Sequence, residues 1–88
     1  MKQKLDVLQV LWVDAKSSDP WESVEEAENR WNKLHLVVSI GAVVSKTKEH
    51  IVLCQNFGDG DVSGWISIPT LWIKRIRKLG VIDLNWVK

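Results

Sequence analysis

The run Trp72-Ile73-Lys74-Arg75-Ile76-Arg77-Lys78 holds the densest group of side chains able to grip a ligand. Four cations beside an indole suit a phosphorylated or polyanionic partner. A guanidinium such as Arg75 or Arg77 can hold a phosphate through two parallel N–H donors, while Trp72, or Trp65 a few residues upstream, stacks on a base. The candidate ligand-binding set is therefore Trp65, Trp72, Lys74, Arg75, Arg77 and Lys78. The same run also reads as a solvated edge strand, because Lys and Arg on a sheet edge oppose strand-to-strand aggregation.

The other reactive residue types do not assemble into a catalytic set. Asp14, Asp19, Asp59 and Asp61 could supply an acid/base pair if folding joined two of them. Each also has a local explanation, helix capping for Asp19 and turn chemistry for the rest. Gly58-Asp59-Gly60-Asp61 has the look of a calcium loop but lacks the further acidic ligands and the bidentate Glu such a loop needs. It also lacks the Lys-Ser/Thr pair of a phosphate loop. His35 and His50 are not at metal-ligand spacing, Cys54 sits in an apolar stretch without a local base, and Ser39 and Ser45 lack a nucleophile-elbow context. The expectation is a protein that is not an enzyme, with no metal and no cofactor.

These residues must be positioned by 88 residues, enough for a single domain spanning 1–88. The 45% hydrophobic content supports a folded core. The net charge of +1 supplies no global field to steer nucleic acid or membranes. Six Trp with no Tyr is an unusual balance, and six indoles exceed what so small a core can hide. Trp86 and Trp12 are accordingly candidates for a subunit interface, and a homo-oligomer is expected. The lone cysteine excludes an internal disulfide. Lys2 and Lys4 precede no uninterrupted apolar run, and nothing approaches the roughly 20 apolar residues of a membrane helix, so a cytoplasmic location without membrane contact is expected.

Residues 6–13 are β-branched and aromatic with apolar groups on both faces, which predicts a strand covered on both sides. Asp19 as N-cap, Pro20 at the first position and Glu22 behind them predict a helix over roughly 20–32, with acid early and Arg30 and Lys33 late. Trp21 and Trp31 would then share one face and pack on the sheet. Residues 34–45 and 50–56 read as a hairpin, with Gly41 marking a bend. A glycine-rich loop over 57–64 leads to a short strand at 65–68. A tight turn at 69–71 precedes a strand over 71–79, for which Pro69 and Gly80 also allow a helix, and 81–87 reads as a final strand. The fold class is α+β, mainly β: a small, partly open β-barrel of about five short antiparallel strands with one helix.

This order, with Gly64-Trp65-Ile66-Ser67-Ile68-Pro69 and then Trp72-Ile73, resembles the small β-barrels of the Src-homology-3 and Sm-like type. The helix departs from the Src-homology-3 pattern, where a long irregular loop would sit. The aromatic and acidic peptide-binding positions of those domains have no match here, so their proline-rich ligand does not carry over. Leu11-Trp12-Val13-Asp14-Ala15, Ser17-Asp19-Trp21, Ser39-Ile40-Gly41, Ile51-Val52-Leu53 and Ile68-Pro69 also resemble small uncharacterised bacteriophage and prophage proteins over residues 10–79. That resemblance implies a bacterial cytoplasmic setting. By analogy it implies a host-defence inhibitor that sequesters a nucleotide signal or blocks a host protein. A nucleic-acid-binding barrel using residues 74–78 is the alternative, and a hydrolase using the loop aspartates a remote third.

Overall fold

The computed structural model describes residues 4–15, 21–31 and 34–87 of the chain. Five antiparallel strands form one sheet: β1 (Lys4–Asp14), β2 (His35–Lys46), β3 (His50–Phe57), β4 (Val62–Pro69) and β5 (Ile73–Asp83). Among the described residues one α-helix, α1 (Val24–Trp31), lies between β1 and β2. One 3₁₀ turn, Thr70–Trp72, joins β4 to β5, and another, Leu84–Val87, follows β5. The strand order is β4-β3-β2-β1-β5. Among the described residues β4 and β5 remain separate edges, so the sheet is open rather than a closed barrel.

Register sorts the side chains onto two faces. On the inner face Leu8, Val10 and Trp12 of β1 meet Ile51 and Leu53 of β3 and Ile68 of β4, with Val37, Val43, Ile66 and Ile73 packed around them. Val10 and Ile68 are completely buried. Trp12 satisfies its indole N–H by donating to Ser39 Oγ (3.0 Å), and its ring stacks on Trp72 with centroids 6.4 Å apart. This cluster is the stabilising centre, because each such buried side chain contributes about 1.5–3 kcal/mol. A smaller group, Leu5, Ala42 and Cys54, is buried beyond it.

Two local devices shape the sheet. A Cβ on Gly41 would stand 2.9 Å from the carbonyl oxygen of Cys54 and 3.0 Å from the Leu53 Cβ, so β2 approaches β3 closely only because this residue has no side chain. The bend expected at Gly41 is a point of close strand contact, and the register slips nearby, between Val43 and Ser45. On the other side β5 carries two extra residues against β1, Lys74 between the pairs Leu11–Arg75 and Trp12–Ile73, and Leu79 between Val7–Gly80 and Leu8–Lys78. Each bulge re-aims the side chains that follow it.

Several boundaries differ from the sequence expectation. The helix is shorter, because Ser23 caps it: its Oγ accepts the Glu26 N–H at 3.1 Å, and its carbonyl accepts the Ala27 N–H at 3.0 Å. The expected cap at Asp19-Pro20 lies outside the described residues. Trp21 therefore precedes the helix rather than sharing a face with Trp31, and it is fully exposed. Among the described residues α1 makes no extensive contact with any strand, and the Trp31 side chain, expected to pack on the sheet, lies outside them. Residues 73–83 form one continuous strand where a break at Gly80 was expected, and residues 84–87 are a 3₁₀ turn rather than strand. The glycine loop is also shorter: a turn over 58–61, closed by the Gly58 N–H donating to the Asp61 carbonyl (2.8 Å), leads directly into β4.

Candidate functional site

The alternation of β5 divides the basic run. Arg75 and Arg77 pair with Leu11 and Gln9 and so share the outer face of the sheet with them. Lys78 pairs with Leu8 on the opposite face and reaches Asp6 at 3.2 Å. Lys74 is a bulged residue, and with Trp72, Leu71, Leu34 and Val13 it lines a separate cleft of 350 Å³ at the end of the sheet. Trp65, paired with Cys54 on β4, lies on the other edge strand. Four strand spacings, about 19 Å at ~4.8 Å each, separate β4 from β5 in a flat sheet. The six candidate ligand residues thus occupy four places.

The outer face of β2, β1 and β5 has the more unusual composition. Leu11 and Val13 of β1 face across to Val38 and Leu36 of β2, and Ile40 stands opposite Gln9. On a covered sheet these aliphatic side chains would be buried, yet Leu36, Val38 and Ile40 are 52%, 53% and 48% exposed. Arg75 and Arg77 border this floor from β5. Arg77 is held in place by a 2.6 Å bond from its Nη2 to Gln9 Oε1. A shallow cleft of 220 Å³ lies here, lined by Gln9, Leu11, Val38, Arg75, Ile76 and Arg77. An aliphatic floor rimmed by guanidinium groups can take an apolar side chain and a carboxylate from one ligand. Sequence reasoning found the arginines but missed the floor. Its signal was the apolar residues on both faces of 6–13 and 34–45.

The remaining candidates are dispersed. Trp12 is in the core, 6% exposed and held by Ser39 and Trp72, so its ring has little surface to offer a second subunit. Trp86 is exposed in the last 3₁₀ turn. Asp59 and Asp61 are exposed in the β3–β4 turn, Asp14 accepts the Ala15 N–H at 2.9 Å, and Asp19 is outside the described residues. Cys54 is buried with a free thiol. Among the described residues no three His, Cys, Asp or Glu side chains converge to hold a metal ion, and no helix is long and apolar enough to cross a membrane. Comparison with protein-family models, curated proteins and solved structures finds no match.

Proposed function

We propose that the chain is a non-enzymatic binding module whose outer sheet face captures an acidic, amphipathic polypeptide segment. The observation that carries this reading is the half-exposed aliphatic floor, Leu36, Val38 and Ile40, with Arg75 and Arg77 on the same face. Covering such a floor contributes about 25 cal/mol per Å² of apolar surface, and charge pairing at its rim selects the partner. Of the two forms of host-directed inhibitor, the blocker of a protein draws more support than the nucleotide sponge. The floor is aliphatic, and the nearest indole in sequence, Trp72, is stacked on Trp12 instead of standing beside the two arginines. The polynucleotide reading loses support for the same reason. The β2-β3-β4 meander, the 3₁₀ turn between β4 and β5 and the return of β5 to β1 support placing the module among small barrels that curl without closing.

The test is an NMR titration of the isotope-labelled chain with a designed helical peptide carrying leucines along one stripe and glutamates beside them. Amide shifts should concentrate at Leu11, Val38, Ile40, Arg75 and Arg77, and Arg75→Glu with Arg77→Glu should weaken binding at least tenfold. Equal binding of the same peptide with lysines for glutamates would refute the reading. So would tight, steeply salt-dependent binding of single-stranded nucleic acid in place of the peptide.

A further inference from the structure

Beyond the arginine-bordered floor the sheet carries a larger cleft, of 430 Å³, walled chiefly by Val7, Ile40, Ala42, Cys54, Phe57 and Ile82. Val7 and Ala42 are an opposed pair two steps along from Gln9 and Ile40, and Cys54 stands opposite Ala42 on β3. On its other side Val7 is paired with Gly80, so β5 contributes no side chain at that point, and even a Cβ there would meet nothing within 4 Å. The volume falls within the roughly 300–1,000 Å³ of sites that enclose a guest. No charged side chain lines this cleft, which sets it apart from the floor with its two arginines. Its one polar side chain is Gln55, whose Nε2 donates to the Ile40 carbonyl at 3.3 Å. That bond leaves Gln55 Oε1 to accept a hydrogen bond from a guest. The fitting guest is a large apolar group with a single N–H donor, which describes an indole.

The chain presents such an indole at the same end of the sheet. Ile82 lines the cleft, Asp83 makes the last pair of β5 with Lys4, and the 3₁₀ turn Leu84–Val87 follows at once. That turn carries Trp86, 88% exposed and four residues past Ile82, about 8 Å on at the ~2 Å rise of a 3₁₀ turn. Trp65 is exposed too, but it is fixed within β4, whereas Trp86 stands on a short turn past the last pair of the sheet. We infer that Trp86 of a second copy of this chain occupies the cleft, reciprocally about a two-fold axis. A projecting indole and an apolar cleft side by side make a self-complementary patch, which a two-fold contact requires. Trp86 is left in solvent by its own cleft, so a second molecule is what covers it. Each indole covers about 150–250 Å², and two of them with the matching cleft walls cover about 600–1,000 Å², the size of a weak, reversible association. The inference does not rest on the reading of the arginine-bordered floor.

Sedimentation velocity of the full chain from micromolar to millimolar concentration, with fluorine NMR of the chain labelled with fluorotryptophan, tests this. The chain should pass from monomer to dimer over the series, and the Trp86 resonance, assigned by its loss in Trp86→Phe, should move with that change. Trp86→Ala removes the guest and should raise the dissociation constant at least tenfold. Val7→Phe fills the cleft, with Gly80 opposite leaving room for the ring, and should do the same. A mixture of the two variants should associate more tightly than either alone, because the indole of one then meets the open cleft of the other. Far-UV circular dichroism confirms that each variant retains its sheet. A monomer at every concentration overturns the inference. So does a dimer that Trp86→Ala leaves unchanged, a mixture no tighter than its components, or a Trp86 resonance already in its buried position in the monomer, which would make the guest the chain's own indole. A chain that stays monomeric yet binds the designed acidic peptide loses this dimer while the reading of the floor survives.

Discussion

Gly41→Ala tests how tightly β2 and β3 are joined. The new methyl carbon would begin 2.9 Å from the Cys54 carbonyl oxygen, 3.0 Å from the Leu53 Cβ and 3.3 Å from the Cys54 nitrogen. None of these is the free end of a flexible side chain, and both Leu53 and Cys54 are 1% exposed. Ordinary contact requires the strands to part by about 0.5 Å at the centre of the sheet. Overpacking of this kind costs about 1–3 kcal/mol. The loss of chain freedom in the unfolded state returns about 0.4–1 kcal/mol. A net loss of roughly 1–2 kcal/mol lowers Tm by about 4–16 °C in a domain this size. The control is Gly80→Ala, where a methyl group meets nothing within 4 Å and the backbone φ is not positive. It should leave Tm unchanged or raise it by a few degrees. Differential scanning calorimetry at one fixed protein concentration reads both. If the two variants melt together, the close approach of β2 to β3 is wrong.

Three further substitutions probe other parts of the molecule. Ile68→Ala removes a fully buried side chain from the inner cluster and should cost about 2–5 kcal/mol, read from the urea midpoint at unchanged m-value. Trp12→Phe deletes the donor to Ser39 and narrows the stack on Trp72, so it should cost about 1–3 kcal/mol. It should also abolish any paired-indole couplet in the circular dichroism spectrum, and a couplet that persists would argue against the stack. Ser23→Ala removes the cap of α1, worth about 1 kcal/mol, and should speed amide exchange at Glu26 severalfold while the amides of β1 keep their protection.

Much of the sheet was legible because its strands are dense in β-branched residues broken by short polar turns. The turn at Thr47 is one example, where the hydroxyl accepts the N–H groups of Glu49 and His50 at 3.2 Å each. The helix start was placed too early because two residues of capping type, Asp19 and Ser23, stand four residues apart. The second, Ser23 with Glu26 three positions on, has the spacing of a capping box. Which indoles are buried could not be read locally. Trp12 is held by Ser39, 27 residues away, while Trp21 has an equally suggestive neighbourhood and is exposed. The basic run was visible, but its division between faces follows from two bulges set by pairing with β1. Gly80, beside the second bulge, disguises β5 as two segments. The apolar residues on both faces of β1 predicted cover on both sides. The described residues supply it fully on one side only.

Lys74 and Leu79, the residues of β5 without an opposite number on β1, carry a last implication. Deleting both would leave every remaining cross-strand partnership between β1 and β5 intact, so the shortened chain would still find its fold. What it would lose is irregularity at an open border. A twice-kinked strand is a poor template for a newcomer, whereas a straightened one offers an uninterrupted row of amide and carbonyl groups. The two surplus residues thus act as guards against fibre growth, protecting the chain in a crowd more than they strengthen it alone.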